Sequence, residues 1–282
     1  MSEASAGADR FIGKVAVVTG ASRGIGAATA LRLAAEGASV ALVARSLGPR
    51  PGIDGSLEGT AAKARTHGVP VLVVQADLSD PASRATVIPT IQEALGKIDI
   101  LVNNAAAAIY GSMLDMPAKR SRILMEMNYF APLELIQDVV PGMRAQSGGW
   151  IVNLTSSAAL HRPGPPFDGG TRVAHMGGYG ASKSALDRIT NAIAMELWGT
   201  GIRVNAIRPR KAVLTEGAQI VAGDLLRAEA LEPMEAMVEA IIALCECPEG
   251  ETGRVLASLD LLESSRRPIM ALDGSAFSAP PR

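Results

Sequence analysis

Residues 14–26 read "KVAVVTGASRGIG", and this stretch decides the fold. "KVAVVT" (14–19) is apolar and β-branched almost throughout rather than alternating, the pattern of a strand buried on both faces. "TGASRGIG" (19–26) follows at once and opens a segment of helical period, "GIGAATALRLAAEG". Glycines at such a β-to-α turn allow a tight bend and let the backbone approach a pyrophosphate at the positive end of the helix. The spacing is Thr-Gly-x-x-x-Gly-x-Gly, not the G-x-G-x-x-G fingerprint. On local grounds a turn that needs glycine only for packing stays open.

Six further runs of the same kind follow: "ASVALVA" (38–44), "VPVLVVQA" (69–76), "DILVNN" (99–104), "WIVNLTS" (150–156), "IRVNAIR" (202–208) and "GRVLAS" (253–258). Helical patterns separate them, among them "DPASRATVIPTIQEALG", a long stretch over 116–146, and "YGASKSALDRITNAIAMELWG". Repeated β-α alternation with right-handed crossovers predicts one α/β domain, a Rossmann-type doubly wound sheet of seven parallel strands flanked by helices. The expected layout is a flexible N-terminus (1–10), the domain (11–263) and a loosely ordered tail (264–282). Two Gly/Pro-rich segments interrupt the pattern, "SLGPRPGIDGSLEG" (46–59) and "LHRPGPPFDGGTRVAHMGG" (160–178).

Composition sets outer bounds. The 282 residues are 48% hydrophobic with a formal net charge of −1. That supplies a sizeable core and argues against a nucleic-acid partner, for which no Lys/Arg run provides a footprint. No apolar run approaches the roughly 18 residues of a membrane helix. The opening lacks the apolar core of a signal peptide, so a soluble, cytoplasmic protein without a membrane partner is expected. Cys245 and Cys247 have no companion ligand pair and His67, His161 and His175 are scattered, so no metal site is expected and both thiols are read as reduced and structural.

The end of the second strand bears on cofactor choice. A carboxylate there would accept from a ribose 2′-OH and repel a 2′-phosphate. The strand ends instead in Ala44 and Arg45, and Arg23 stands in the glycine turn. Two guanidinium groups can clamp a phosphate, so NADP(H) is favoured and NAD(H) remains open. Tyr179 and Lys183, four apart, share a helix face. By itself that pair fits any helix surface.

Together, "TGASRGIG", "ADLSD", "NNA", the Asn in "MNYFAP", "VNLTSS", "YGASK" and "GIRVNAIRP" resemble, in order, the short-chain dehydrogenase/reductase family over about residues 11–260. The lengthened linker, "MPAKR" and "RPRKAV" are similar to a subgroup that includes hydroxysteroid dehydrogenase-like and citronellol dehydrogenases. The resemblance implies an oxidoreductase interconverting an alcohol and a ketone or aldehyde. It makes Tyr179 the general acid/base, with Lys183 lowering the phenol's pKa and holding the nicotinamide ribose. Ser156 would donate to the substrate oxygen, its neighbour Ser157 being the alternative, and Asn128 would anchor a water in the proton relay. Gly20, Ser22, Arg23, Gly24, Ile25 and Gly26 would cradle the cofactor together with Arg45. Asp77 would contact the adenine amine beside Leu78, Asn104 would brace the strand near the adenine ribose, and Thr215 would meet the carboxamide. The long helices at 116–146 and 179–199 imply a homotetramer or homodimer.

Departures from the family pattern are specific. "NNAG" reads "NNAA", Pro209 is followed by Arg210 rather than glycine, and the gap between Ser156 and Tyr179 is unusually long. The apolar run "AAAAIYGSML" (105–114) suits either a hydrophobic substrate pocket or core packing. Phe167 and His175 in the long loop are further candidates to reach the substrate. The competing reading is a catalytically silent dinucleotide-binding or scaffold protein.

Overall fold

The structure, a computed structural model, describes residues 9–49, 51, 52, 54–216 and 230–277. Six strands run through its centre: β1 (Val15–Thr19), β2 (Ser39–Ala44), β3 (Val71–Gln75), β4 (Ile100–Asn103), β5 (Gly149–Leu154) and β6 (Ile202–Arg208). A separate two-residue parallel pair follows, β7 (Ala212–Val213) with β8 (Leu231–Glu232), before β9 (Val255–Ala257) returns to the main sheet. The seven-stranded order is β3-β2-β1-β4-β5-β6-β9, every pair parallel, as the hydrophobic runs predict. Burial explains the unbroken apolar runs. All of β1 and β4 is buried, whereas the edge strands β3 and β9 are partly exposed.

Side chains of β1 alternate between two cores. Ala16 and Val18 join the cluster under α1 (Gly24–Ala35), α2 (Leu57–Arg65), α9 (Met234–Leu244) and α10 (Ser258–Ser265). Val15 and Val17 join the one under α4 (Val87–Leu95), α6 (Ala131–Ala145) and α8 (Gly177–Glu196). The remaining helices, α3 (Pro81–Arg84), α5 (Ala118–Met125) and α7 (Gly170–Ala174), are short. Strand order reverses between β1 and β4, so the carboxyl ends of these two strands open the crevice in which such sheets bind ligands.

Four local features differ from expectation. The helical stretch at 116–146 is α5 and α6 joined by a π-turn, Glu126–Phe130, in which Ala131 N bonds Glu126 O. The 160–178 segment contains α7, and α8 begins two residues before Tyr179. Residues 264–277 pack down rather than trail: Ile269 and Leu272 lie against the first core, and Arg32 Nη1 donates to Ala271 O at 2.8 Å. Arg10, expected in a flexible arm, donates to Glu36 at 2.8 Å and Glu246 at 2.9 Å. Cys245 and Cys247 are free thiols and both are buried.

Candidate active site

The glycine turn is shaped by what a side chain would strike. Gly20 has φ +67, and a Cβ there would come within 2.7 Å of Asn104 Nδ2 and 3.0 Å of Ala105 Cα. A Cβ on the buried Gly26 would run into Gly20 O and the same amide. Asn104 in turn laces the end of β4 to this turn, donating from Nδ2 to Thr19 O at 2.8 Å. Arg23 caps α1 without a side-chain bond, and the first turn of the helix has no acidic residue. The positive end is therefore not answered from within the helix, although Glu216 Oε2 stands 3.6 Å from where a Gly24 Cβ would be. This closely approached, uncapped turn fits a dinucleotide pyrophosphate.

A cleft of about 540 Å³ extends from the turn along the carboxyl ends of the strands. Gly20, Ser22, Arg23, Gly24, Ile25, Arg45, Asp77, Leu78, Asn104, Ser156, Tyr179, Lys183 and Thr215 all line it, so the fold brings together most of the candidates. Gly26 and Asn128 lie behind the wall. Beside the glycine turn the lengthened linker folds back, and Gly55 (φ +88) presses on the turn so closely that a Cβ would sit 2.7 Å from Ser22 O and 2.9 Å from Arg23 Cβ. Asp77 Oδ1 accepts from the Ser79 hydroxyl at 2.7 Å, which together with Arg45 pulls its pKa down against burial. Arg84, fully buried, holds the next residue: its Nη1 donates to Leu78 O at 2.6 Å, while Nε donates to Glu134 at 2.7 Å. Thr215 sits over Gly24, with its Cβ 3.4 Å from where a Gly24 Cβ would be.

The far end is assembled by α8. Gly180 lets the helix meet Ala158 O, a contact any Cβ would block, and Ser184 Oγ donates to Ala159 O at 2.8 Å. Docking on the short Ser157–Ala159 turn in this way brings Tyr179 to Ser156. The strand stops at Leu154, two residues earlier than its apolar run suggests, because Ser156 Oγ caps that turn by accepting from Ala158 N at 3.1 Å. Lys183 is buried, and its Nζ donates to Leu154 O at 2.6 Å.

The electrostatics differ from expectation. Burial pushes the Tyr179 phenol up to about 12; Tyr110 pushes the same way, and hydrogen bonding with Ser156 works against both. Burial also drives Lys183 down to about 8, opposed by Asp187. A depressing influence of Lys183 on Tyr179 is therefore not the dominant effect in this cleft. Desolvation outweighs it.

The buried Asn128 side chain has a structural role of its own. Its Oδ1 accepts from Ala107 N at 2.9 Å, and its two amide protons go to Ala107 O and Ser182 Oγ, each at 2.9 Å. Ser182 Oγ then donates to Tyr179 O at 2.7 Å. Both amide protons are thus directed at acceptors within the protein. The amide ties the loop after β4 to the helix of Tyr179.

Phe167 and His175 are absent from the cleft lining. Phe167 is 68% exposed, and the backbone of His175 bonds Thr171 O through its N and Gly111 N through its O, each at 2.9 Å. Two residues gain importance that no motif flagged. Tyr110 lines the cleft with its ring edge-on to Tyr179, centroids 5.7 Å apart. Asp187, one turn beyond Lys183, is a partly buried carboxylate raised by desolvation, with Thr155, Lys183 and Arg208 pulling it back. An i, i+4 carboxylate after a buried lysine was the available signal for the second; the first lay hidden in an alanine-rich run.

A parallel sheet with a switch-point glycine turn facing a Ser–Tyr–Lys cluster defines a nucleotide-binding α/β oxidoreductase fold. Residues 14–224 match the short chain dehydrogenase family, and the chain belongs to it. An oxidoreductase of Staphylococcus epidermidis is 31% identical over 230 residues, covering 81% of this chain and 90% of its own. Glycine betaine reductase of Emericella nidulans is 36% identical over 197 residues, 70% of this chain; the match spans 14% of that protein's length. Among solved structures, L-sorbose reductase from Gluconobacter frateurii, complexed with NADPH and L-sorbose, superposes with a TM-score of 0.74 at 28% identity, covering 88% of this chain and 95% of that one.

Proposed function

We propose that the chain is an NADP(H)-dependent oxidoreductase interconverting an alcohol and a ketone or aldehyde, with Tyr179 as general acid/base. One observation carries this: Ser156, Tyr179 and Lys183 line the same cleft as the glycine turn and its two arginines. The bound nicotinamide would supply the hydride chemistry. On reduction Tyr179 gives its hydroxyl proton to the carbonyl oxygen, and on oxidation it takes the proton from the alcohol. Ser156 donates a hydrogen bond to the same oxygen. The Lys183 ammonium, one of its three N–H groups already directed at Leu154 O, would hold the ribose hydroxyls of the cofactor with the others. A cationic nicotinamide nearby would bring the phenol's pKa down toward working pH.

NADP(H) is favoured because β2 ends at Ala44 and is followed by Arg45 rather than a carboxylate, and Arg23 and Arg45 line one cleft. The NADPH-bound L-sorbose reductase is similar over most of its length and supports the same choice. Exposed Phe130, Met195 and Trp198, on or beside the helices expected to pair subunits, support a homodimer or homotetramer. No helix among the described residues is long and apolar enough to cross a membrane. The apolar wall at Ala105–Ala108 suits a hydrophobic small-molecule substrate.

An absorbance assay with NADPH and NADH across aldehydes, ketones and alcohols tests the reading. Tyr179→Phe should keep the fold and cofactor affinity while kcat falls roughly 10²–10⁴-fold. A near-normal kcat would sink the proton role. Arg45→Asp should lower NADPH-over-NADH selectivity by about tenfold or more; unchanged selectivity would count against the phosphate clamp. Cofactor binding without turnover of any compound in the set would favour the silent-protein reading.

A further inference from the structure

Tyr110 is posted beside Tyr179 by supports on either side of it. Three residues before it, Ala107 is gripped at both N and O by the Asn128 amide. One residue after it, Gly111 N donates to His175 O. Beyond that, Met113 and Met116 pack against the start of α8, where a Cβ on Gly178 would stand 3.2 Å from either sulfur. Between these fixings the Tyr110 ring stands edge-on to Tyr179 at an interplanar angle of 66°. Edge-to-face packing of this kind fixes ring orientation as well as burying area.

We propose that Tyr110 is a positioning residue for the Tyr179 phenol, holding its ring edge-on and filling the space water would otherwise take beside the hydroxyl. This rests on Tyr179 being the acid/base of the reaction proposed above. It also gives the Asn128 clamp a purpose: anchoring Ala107 sets the post from which Tyr110 reaches the cleft. The titratable groups around Tyr179 in the cleft are Tyr110 from the loop after β4 and Lys183 from its own helix, with the Ser156 hydroxyl after β5. Burial is the main influence holding the phenol in its protonated form, so loss of the Tyr110 ring, which opens that side of the hydroxyl to water, should release the proton at lower pH.

The chain has only three tyrosines, which makes a direct reading possible. Near-ultraviolet phenolate absorbance is titrated for wild type, Tyr110→Phe and Tyr110→Ala, with circular dichroism recording the fold. Tyr129→Phe and Tyr179→Phe assign the steps. The Tyr179 step should move to lower pH in Tyr110→Ala and less far in Tyr110→Phe. With the NADPH assay, Tyr110→Ala should lower kcat roughly two- to tenfold with cofactor KM unchanged, and Tyr110→Phe should restore most of it. A Tyr179 step at the same pH in all three proteins overturns the proposal, as does equal kcat loss in the Phe and Ala variants. The two readings separate cleanly. If Tyr179→Phe abolishes turnover while the step stays fixed in Tyr110→Ala, only the positioning role fails. If the step moves but Tyr179→Phe turns over normally, the reaction reading fails instead.

Discussion

Arg32 and Lys183 are both cations removed from water, at 0% and 2% exposure, but their surroundings have little in common. Arg32 bonds Glu36, donates from Nη2 to Glu239 at 2.7 Å, and reaches Ala271 O. Around it Arg10 and Arg267 meet Glu36, Glu239 and Glu246, so three guanidinium groups face three carboxylates. Lys183 has a backbone carbonyl at 2.6 Å and makes no ion pair among the described residues. Asp187 acts on it only from a distance. A buried charge that is fully answered stays put and joins segments together; one left unanswered is pushed toward neutrality. The first cluster therefore ties the N-terminal segment, α1, α9 and the C-terminal residues into one body. The second leaves a lysine able to change its protonation state.

Breaking each cluster should damage different properties. Lys183→Met should cut turnover roughly 10²–10⁴-fold while leaving the melting temperature at or above that of wild type. Its folded value near 8 lies below the ordinary 10.5, so at lower pH the lysine is charged in both folded and unfolded chains and its burial cost is fully felt. From about pH 8 to 10.5 the folded protein sheds this proton first, so wild-type stability relative to Lys183→Met should rise with pH. Denaturant unfolding of both proteins across that range measures it, and a flat difference would refute the lowered value. Glu239→Ala removes the carboxylate shared by Arg32 and Arg267, and should cost about 3–5 kcal/mol in unfolding free energy with kcat per folded molecule unchanged. A loss under about 1 kcal/mol would make that cluster ordinary surface electrostatics. The mildest change is Asp187→Asn. Without the charge that supports it, Lys183 should titrate still lower, moving the alkaline limb of the rate profile toward neutral pH. An unmoved limb would remove Asp187 from the site.

The strands were legible because both faces of the central sheet are buried, which forces unbroken apolar runs such as Val15–Val18 and Ile100–Val102. The cradle was legible because backbone approach leaves no choice but glycine at Gly20 and Gly26. Features set by long-range partners were not. Residues 264–277 carry turn-like composition, yet Arg32 and Glu239, far away in sequence, hold them down. The β7–β8 pair depends on Glu232, whose Oε2 accepts from Arg210 N and Lys211 N at 3.0 and 2.9 Å; no periodicity of two residues could announce it. Tyr110 offered only its residue type, since its importance comes from the ring it meets.

The contact of Gly55 with Ser22 and Arg23 has an evolutionary consequence. The linker and the glycine turn touch backbone to backbone, so each is the mould in which the other is cast. A chimera importing only residues 46–59 from a relative would bring a foreign contour, or a Cβ, against the pyrophosphate turn. Recombination that preserves cofactor binding must carry both segments across together, although β2 separates them in the chain.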